Sequence, residues 1–378
     1  MLIYQVAISL LLLIPLAIAI WNSFAFARIR RNDLSRLMPK VSVLIPARNE
    51  EGNIAACISS LLHQTYPNLE VIVLNDSSED RTEEILLKLR ERRPELTILR
   101  GLPLPPGWIG KNWACHQLSA ACSGELLVFT DADTVHRPES IASLVAFAER
   151  SGVSFFSGVP LQRMDSFWEN VVIPMTQFLY FAYLPNRWIT TKRDPRFSAT
   201  NGQLLCTTRT AYNAIGGHEQ VKEVIIEDVA LGHRAKKLGI RTALAAAVDT
   251  VECKMYGSLS EIIAGFSKNF FPGLGYNWML LIGFVLFTLA LYIAPLGFLV
   301  AGILQGNFSL TLFWMPISQL TTGITIRLLT ARTFKQERRY TLLHPLSSLM
   351  AIIIGINSAR LSLRKGGMVW KGRVYSSS

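Results

Sequence analysis

The chain has 378 residues and a mean hydropathy of +0.30; half its residues are hydrophobic and 17% are charged, which excludes a disordered or collagen-like chain because there is ample apolar surface to bury. Five cysteines, odd in number and without a Cys-x-x-Cys pair, exclude a small disulfide-stapled fold and argue against a structural zinc site. The net charge of +11, in a chain this apolar, points to cytoplasmic membrane faces and anionic lipid, not to nucleic acid.

The first element is an apolar run from Leu2 to Ala27 without a charge, closed by Arg28, Arg30 and Arg31. A spanning helix needs about 20 apolar residues. The run is long and the positive charge follows it, which predicts an uncleaved anchor over residues 1–28 with its C-terminal side in the cytoplasm; a cleaved signal peptide is the plainer alternative.

From Lys40 the pattern changes to short apolar runs alternating with helical periodicity. Val41–Pro46 reads as a strand, Glu51–Gln64 as a helix with Ile54, Ile58, Leu61 and Leu62 on one face, and Glu70–Asp76 as a second strand buried on both sides. Asp80-Arg-Thr-Glu83 has the form of a capping box for the next helix. Leu96–Arg100 and Gly124–Asp131 read as two further strands. This rhythm predicts an α/β domain, a mostly parallel sheet with flanking helices, over residues 40–275. In such sheets ligands bind beyond the carboxyl ends of the strands, where Asp76 and the pair Asp131/Asp133 fall.

The C-terminal third is apolar again. No residue between Lys268 and Arg327 is charged, a run too long for one crossing, so two helices are expected with a turn at Gln305, Gly306, Asn307 and Ser309. Arg332–Arg339 is a basic loop. Leu342–Ala359 is a third apolar run carrying Pro345, Asn357 and several serines, and basic residues follow it. Basic flanks on both sides of one crossing conflict with the charge rule, so this run is expected to be re-entrant or interfacial, with a basic cytoplasmic tail at 362–378 after membrane helices at 276–361.

The candidate site residues each have a plainer reading. Asp131 and Asp133 suit a divalent ion bridging a diphosphate, or they cap a turn. Asp76 suits recognition of a nucleobase or ribose, or simple turn chemistry. Glu227-Asp228, among apolar neighbours and each beside a like charge, suits a general base, or the start of a helix. Lys111 follows a loop with two glycines and suits a phosphate, or it is a solvated lysine. The six histidines show no paired metal spacing. The aromatic residues Phe167, Trp168, Phe178, Tyr180, Phe181, Tyr183 and Trp188 suit either a hydrophobic core or an interfacial helix on lipid. Gly-x-Gly-x-x-Gly, Walker, Gly-x-Ser-x-Gly and His-Glu-x-x-His motifs are absent from the sequence, which removes most of the case for dehydrogenase, NTPase, serine hydrolase and zincin chemistry.

The segments Val41–Glu51, Gln64–Asp76, Phe129-Thr-Asp-Ala-Asp133 and Ile226-Glu-Asp228, in that order, resemble family 2 glycosyltransferases of the GT-A fold. Gly107–Ala114, the Gly216-Gly-His-Glu219 turn and the tail Trp370–Tyr375 are similar to a membrane-bound bacterial subgroup that includes carotenoid (chlorobactene and diaponeurosporenoate type) and hopanoid-associated glycosyltransferases. The resemblance implies that Asp76 meets the nucleobase side of a nucleotide sugar, helped by the Pro46, Arg48 and Glu50 loop and by Lys111. It implies that Asp131 and Asp133 hold the diphosphate through Mg²⁺ or Mn²⁺, with Asp133 the metal ligand of choice. Asp228 would be the base, with Glu227 beside it, in an inverting transfer to a membrane lipid. Processive relatives carry Gln-x-x-Arg-Trp; here the region reads Gly265-Phe-Ser-Lys-Asn269, so Lys268 or Arg373 is expected to meet the leaving group instead.

The expected enzyme is thus an inner-membrane, multi-pass protein with its catalytic domain in the cytoplasm. It would move a sugar, as a UDP-sugar, to a hydroxyl or carboxyl of a carotenoid or other isoprenoid. A polyprenyl-phosphate sugar transferase or polysaccharide synthase is the alternative within the enzyme class. A non-catalytic nucleotide-sugar-binding membrane protein and a transporter are the alternatives outside it; the co-occurrence of Asp76, Asp131, Asp133 and Asp228 speaks against the former, and an uncharged Lys268–Arg327 run against the latter.

Overall fold

The computed structural model describes the chain except Asn32, Leu34, residues 364–367, 371–372 and 376–378; from 368 to 370 and from 373 to 375 it describes backbone alone. The strands are β1 (Ala27–Arg28), β2 (Val41–Ala47), β3 (Leu69–Asn75), β4 (Leu96–Arg100), β5 (Leu126–Thr130), β6 (Thr134–His136), β7 (Phe155–Val159), β8 (Leu161–Gln162), β9 (Leu204–Thr208), β10 (Thr242–Ala246), β11 (Val251–Cys253) and an antiparallel pair near the C-terminus, β12 (Met368–Trp370) and β13 (Arg373–Tyr375). The helices are α1 (Leu2–Ala25), α2 (Ile54–Leu62), α3 (Thr82–Arg92), α4 (Gly110–Ala121), α5 (Ser140–Ser151), α6 (Phe167–Val172), α7 (Pro174–Tyr183), α8 (Asn186–Thr191), α9 (Arg209–Ala214), α10 (Glu227–Lys237), α11 (Leu259–Gly273), α12 (Trp278–Thr288), α13 (Ala294–Leu304), α14 (Met315–Thr333) and α15 (His344–Ser362).

These elements form two compact units. One comprises Phe26–Arg163 and Asn186–Met255; the other comprises Met1–Ala25, Met164–Pro185 and Tyr256–Ser378. The division does not follow linear boundaries at 40 and 275: Met164–Pro185 leaves the sheet unit and returns, and the chain from Tyr256 onward sits with the apolar helices.

The sheet unit is built on eight strands in the order β1-β10-β7-β9-β5-β2-β3-β4. All neighbours are parallel except β9, which runs antiparallel to both β5 and β7. β2 is buried almost end to end because helices cover both sheet faces. On one face Ile54, Cys57, Ile58 and Leu61 of α2 join Val41, Val43, Ile45 and Val128. On the other, Ala114, Cys115 and Leu118 of α4 and Leu231 and Ala235 of α10 pack on Leu44, Leu127 and Phe129. A small second sheet, β6-β11-β8, lies beyond β5 in the chain. The capping box expected at Asp80–Glu83 does not form: α3 starts at Thr82, and Asp80 accepts hydrogen bonds from the Thr82 and Glu51 N–H groups instead. Asp80 is drawn off by the loop after β2, whose own amides need partners.

Among the described residues, the apolar unit carries three helices long and apolar enough to cross a membrane: Leu2–Ala25, the stretch Trp278–Leu304 that joins α12 and α13 through a π turn, and Arg338–Ser362, which ends in α15. The long uncharged run is interrupted after Leu304, and α14 follows. α15 is a continuous helix, not a broken re-entrant loop. Pro345 falls in its first turn, where a missing N–H leaves no helical bond unmade, and the polar residues face protein. Asn357 Nδ2 donates to Ser267 Oγ at 2.9 Å, and the Phe271 N–H donates to Ser358 Oγ at 2.8 Å, so both polar groups are spent on α11. Gln319 of α14 likewise donates to Gln5 O at 3.0 Å and Gln5 Oε1 at 2.9 Å in α1. Of the aromatic residues between 167 and 188, Phe178 and Phe181 are buried here, whereas Phe167 is exposed.

Candidate active site

The chemistry-bearing side chains gather at the carboxyl edge of the parallel strands. β2 ends at Ala47 and β3 at Asn75, in register, so the loops that follow lie side by side. They are laced together: the Asp76 N–H donates to Ala47 O at 2.8 Å, Arg48 Nη1 donates to Asp76 O at 2.8 Å and Ser77 O at 2.7 Å, and Arg48 Nη2 meets Glu79 Oε1 at 2.9 Å. Glu50 N–H donates to Thr82 Oγ1 at 2.8 Å. Asn49 and Ser77 hold φ values of 52° and 53°, in the left-handed region, so both loops turn sharply just past the strand ends. Asp76 is buried. Arg48, expected at the substrate, is engaged in bracing Asp76 by its backbone.

Asp131 follows β5 directly and opens a tight turn, closed by the Thr134 N–H donating to Asp131 O, with Asp133 inside it. The turn is supported from beneath by a buried network: Thr134 Oγ1 donates to Asp131 O at 2.8 Å, and His136 sits 3.1 Å from Thr130 Oγ1 and 2.9 Å from Ser140 Oγ. Burial holds His136 neutral, with its pKa pushed down to about 3. Glu227 and Asp228 form the first turn of α10, where the helix dipole favours carboxylates.

Lys111 joins these pieces. It lies in the first turn of α4, and its Nζ is 2.8 Å from Asp131 Oδ1 and 3.0 Å from Glu227 Oε1. Burial pushes its pKa down, but the two carboxylates outweigh burial and hold it well above the ordinary lysine range. A pocket opens between them, lined by Pro46, Lys111, Asp131, His218, Glu227 and Asp228 among others. Burial first, and the Glu227 charge second, raise Asp228 to about 6. Burial, then Asp131 and Glu50, raise Asp133 to about 7.

Asp133 Oδ1 is buried with no hydrogen-bond partner. An orphaned carboxylate oxygen flanked by like charges fits a cation of hard-oxygen preference. Among the described residues no group of three His, Cys, Asp or Glu side chains is arranged to hold a metal alone. Two aspartates suit Mg²⁺ or Mn²⁺, which keep water and take phosphate oxygens as their remaining ligands.

Thus Pro46, Arg48, Glu50, Asp76, Lys111, Asp131, Asp133, Glu227 and Asp228 all lie in the sheet unit. Lys268 lies on α11 in the apolar unit, and the side chain of Arg373 lies outside the described residues. His218 was not singled out from the sequence. Gly217, with φ of 56° and a would-be Cβ 2.7 Å from the Tyr212 ring, lets the chain turn tightly enough to place it in the pocket wall. There Tyr212 Oη lies 2.7 Å from His218 Nδ1, and burial, aided by Lys111, lowers its pKa to about 3. The Gly216-Gly-His turn was the available signal.

Residues 42–212 match the family model described as Glycosyl transferase family 2. The chain carries a family 2 glycosyltransferase domain. The 4,4'-diaponeurosporenoate glycosyltransferase of Staphylococcus aureus (strain USA300) is 26% identical over 345 residues, covering 89% of this chain and 88% of the relative. A mannosyltransferase from Pyrobaculum calidifontis, solved with GDP-Man and Mn²⁺, superposes with a TM-score of 0.55 at 17% identity, covering 93% of this chain and 98% of that one. The mixed sheet of this glycosyltransferase is therefore of the GT-A type.

Proposed function

We propose that the glycosyltransferase moves a sugar from a nucleoside diphosphate sugar, a UDP-sugar in the first instance, to a hydroxyl or carboxyl group of a membrane isoprenoid such as a carotenoid, with inversion at the anomeric carbon. The observation that carries this reading is the Lys111 bridge between Asp131 and Glu227 with Asp228 beside it. Asp131 would face the diphosphate and Asp228 would take the proton, and both line the one pocket. The similarity to a diaponeurosporenoate glycosyltransferase and the three apolar helices support a lipid acceptor.

Asp228, raised to about 6, is ionised near neutrality yet basic enough to take the proton of an acceptor hydroxyl. The acceptor oxygen forms its bond to the anomeric carbon as the bond to the diphosphate oxygen breaks. The proton passes to Asp228, and the electron pair leaves with the nucleoside diphosphate. Asp131 and Asp133 would hold Mg²⁺ or Mn²⁺, and the ion, when bound, neutralises the leaving diphosphate. Lys111 fixes Asp131 and Glu227 and keeps their charges from repelling the donor. Asp76 and its braced loop would form the nucleoside end. The apolar helices would anchor the enzyme in the inner membrane as a multi-pass protein, catalytic unit in the cytoplasm.

Asp228→Asn tests the assignment. Nucleotide-sugar binding should survive and transfer to a hydroxyl acceptor should be lost; transfer near the wild-type rate would move the base elsewhere, with Glu227 next. Loss of a glycosylated lipid in a deletion strain, read by lipid profiling, identifies the acceptor.

A further inference from the structure

The sheet unit has a second concave surface, at the opposite edge of the sheet from the aspartates. Thr190, Thr191, Lys192, Arg193, Lys236 and Arg241 are among the residues lining a cleft of ≈ 350 Å³. It lies at the N-terminal end of β10, whose first residue, Thr242, donates through Oγ1 to Ile189 O at 3.1 Å. Four of the six are cations. The nearby carboxylate in the chain, Asp194, is paired with Arg196 at 2.7 Å.

Lys236 is the informative member. It is 3% exposed, and its ammonium donates to two backbone carbonyls, Lys192 O at 2.7 Å and Trp188 O at 3.3 Å. Among the described residues no carboxylate lies within ion-pair distance of it. Burial lowers its pKa to about 8, against a smaller opposing pull from Asp194. Carbonyl dipoles solvate a buried ammonium but do not neutralise it, so an anion is the missing partner.

The rim is amphipathic. Trp188 is 42% exposed, packs edge-on against Phe197 with ring centroids 5.0 Å apart, and has the Lys192 ammonium 6.0 Å over its ring. Leu238, which stands in the chain between the lining residues Lys236 and Gly239, is exposed. Cations interleaved with an exposed tryptophan and an aliphatic side chain suit the headgroup layer of a bilayer. α8 is also tied to the chain just after α1: Asn186 Oδ1 accepts from the Ala27 N–H at 3.0 Å, and Ala27 stands two residues after the last residue of α1.

We propose that this cleft binds the phosphate headgroup of an anionic phospholipid, with Lys192, Arg193, Lys236 and Arg241 supplying the positive charge and Trp188 the apolar contact. It is a lipid site separate from the acceptor pocket, and it rests on the reading that α1 crosses a membrane.

The test uses the full-length protein in detergent, offered equimolar phosphatidylglycerol and phosphatidylcholine, with retained lipid read by native mass spectrometry. The wild type should retain phosphatidylglycerol in preference. Arg193→Gln with Arg241→Gln should lower that preference about tenfold or more, as expected for two cations beside an anionic headgroup. Both side chains are exposed, so the fold is kept, and nucleotide-sugar binding at the far edge of the sheet should be unchanged. Lys236→Met should act in the same direction. Equal retention of the two lipids, or a preference unchanged in the double variant, overturns the proposal. Stabilisation by inorganic phosphate without phosphatidylglycerol retention also overturns it, in favour of a soluble phosphate ester. Release of the wild type from membranes by a carbonate wash would instead refute the membrane reading on which it rests.

Discussion

If Asp228 is the base, the rate of transfer to a hydroxyl acceptor must follow its ionisation. Its carboxyl is raised from an ordinary value near 3.8 to about 6, by burial first and by Glu227 second. kcat/KM should therefore fall tenfold per pH unit below pH 6 and level off above it. The Glu227→Gln variant separates the two causes. It removes the like charge but leaves burial, so the limb should move to lower pH by less than the full shift, about 0.5–1 unit. The same shift is a stability statement. A carboxylate whose folded pKa lies above its unfolded value contributes stability that is present below the unfolded pKa and is lost as pH rises through the folded one. A shift of about two units corresponds to about 3 kcal/mol of destabilisation at pH 7, so Asp228→Asn should raise stability at neutral pH while it removes transfer. The assays are a pH–rate profile with saturating metal and a denaturation series at pH 4 and pH 7. A flat profile from pH 5 to 8, or a limb that survives in Asp228→Asn, would refute the reasoning. So would a limb that moves to higher pH in Glu227→Gln.

Other outcomes follow from the same geometry. Asp133→Asn should cut turnover by about two to three orders of magnitude with the fold retained, and full wild-type activity in excess EDTA would remove the metal from the scheme. Lys111→Met should weaken donor binding and shift the Asp228 limb to higher pH, because the charge that joins Asp131 and Glu227 is gone; an unmoved limb with unchanged donor KM would show that the bridge is only structural. Gly124→Ala should lower the melting temperature, with a cost of about 1–3 kcal/mol, because a Cβ there would stand 2.4 Å from Ser42 Oγ and 2.6 Å from Ser42 N. Gln319→Leu should destabilise the apolar unit by about 1 kcal/mol in detergent unfolding, since it leaves the Gln5 carbonyl groups without that donor.

The parallel sheet was legible because its strands are buried on both faces: Val41–Pro46, Glu70–Asp76 and Gly124–Asp131 are largely apolar runs alternating with helical stretches, as a doubly covered sheet requires. The positions of Asp76 and Asp131 followed from that, since each ends a strand. The reversed direction of β9 was not legible, because strand direction leaves no mark on a five-residue apolar run. Nor was the role of Lys111, which depends on how α4 and α10 pack on the same face and bring residues 111, 131 and 227 within 3.0 Å. The path of residues 164–185 was ambiguous for a different reason. An aromatic-rich helix has the same periodicity whether its partner is lipid or protein, and only the burial of Phe178 and Phe181 among neighbouring helices separates the two.

The edge strand β1 bears on how the enzyme is made. Ala27 and Arg28 pair with Ala245 and Ala246, more than two hundred residues later in the chain. At roughly 5–20 residues per second, a ribosome takes about 10–40 s to supply that partner. During this interval α1 has already been made, and the stretch Met164–Pro185 has left the sheet and returned. One flank of β7 therefore stays open until β10 arrives, because β10 is its neighbour on that side. Substitutions in β10 should accordingly lower the yield of folded protein in cells more than they lower the stability of protein already folded.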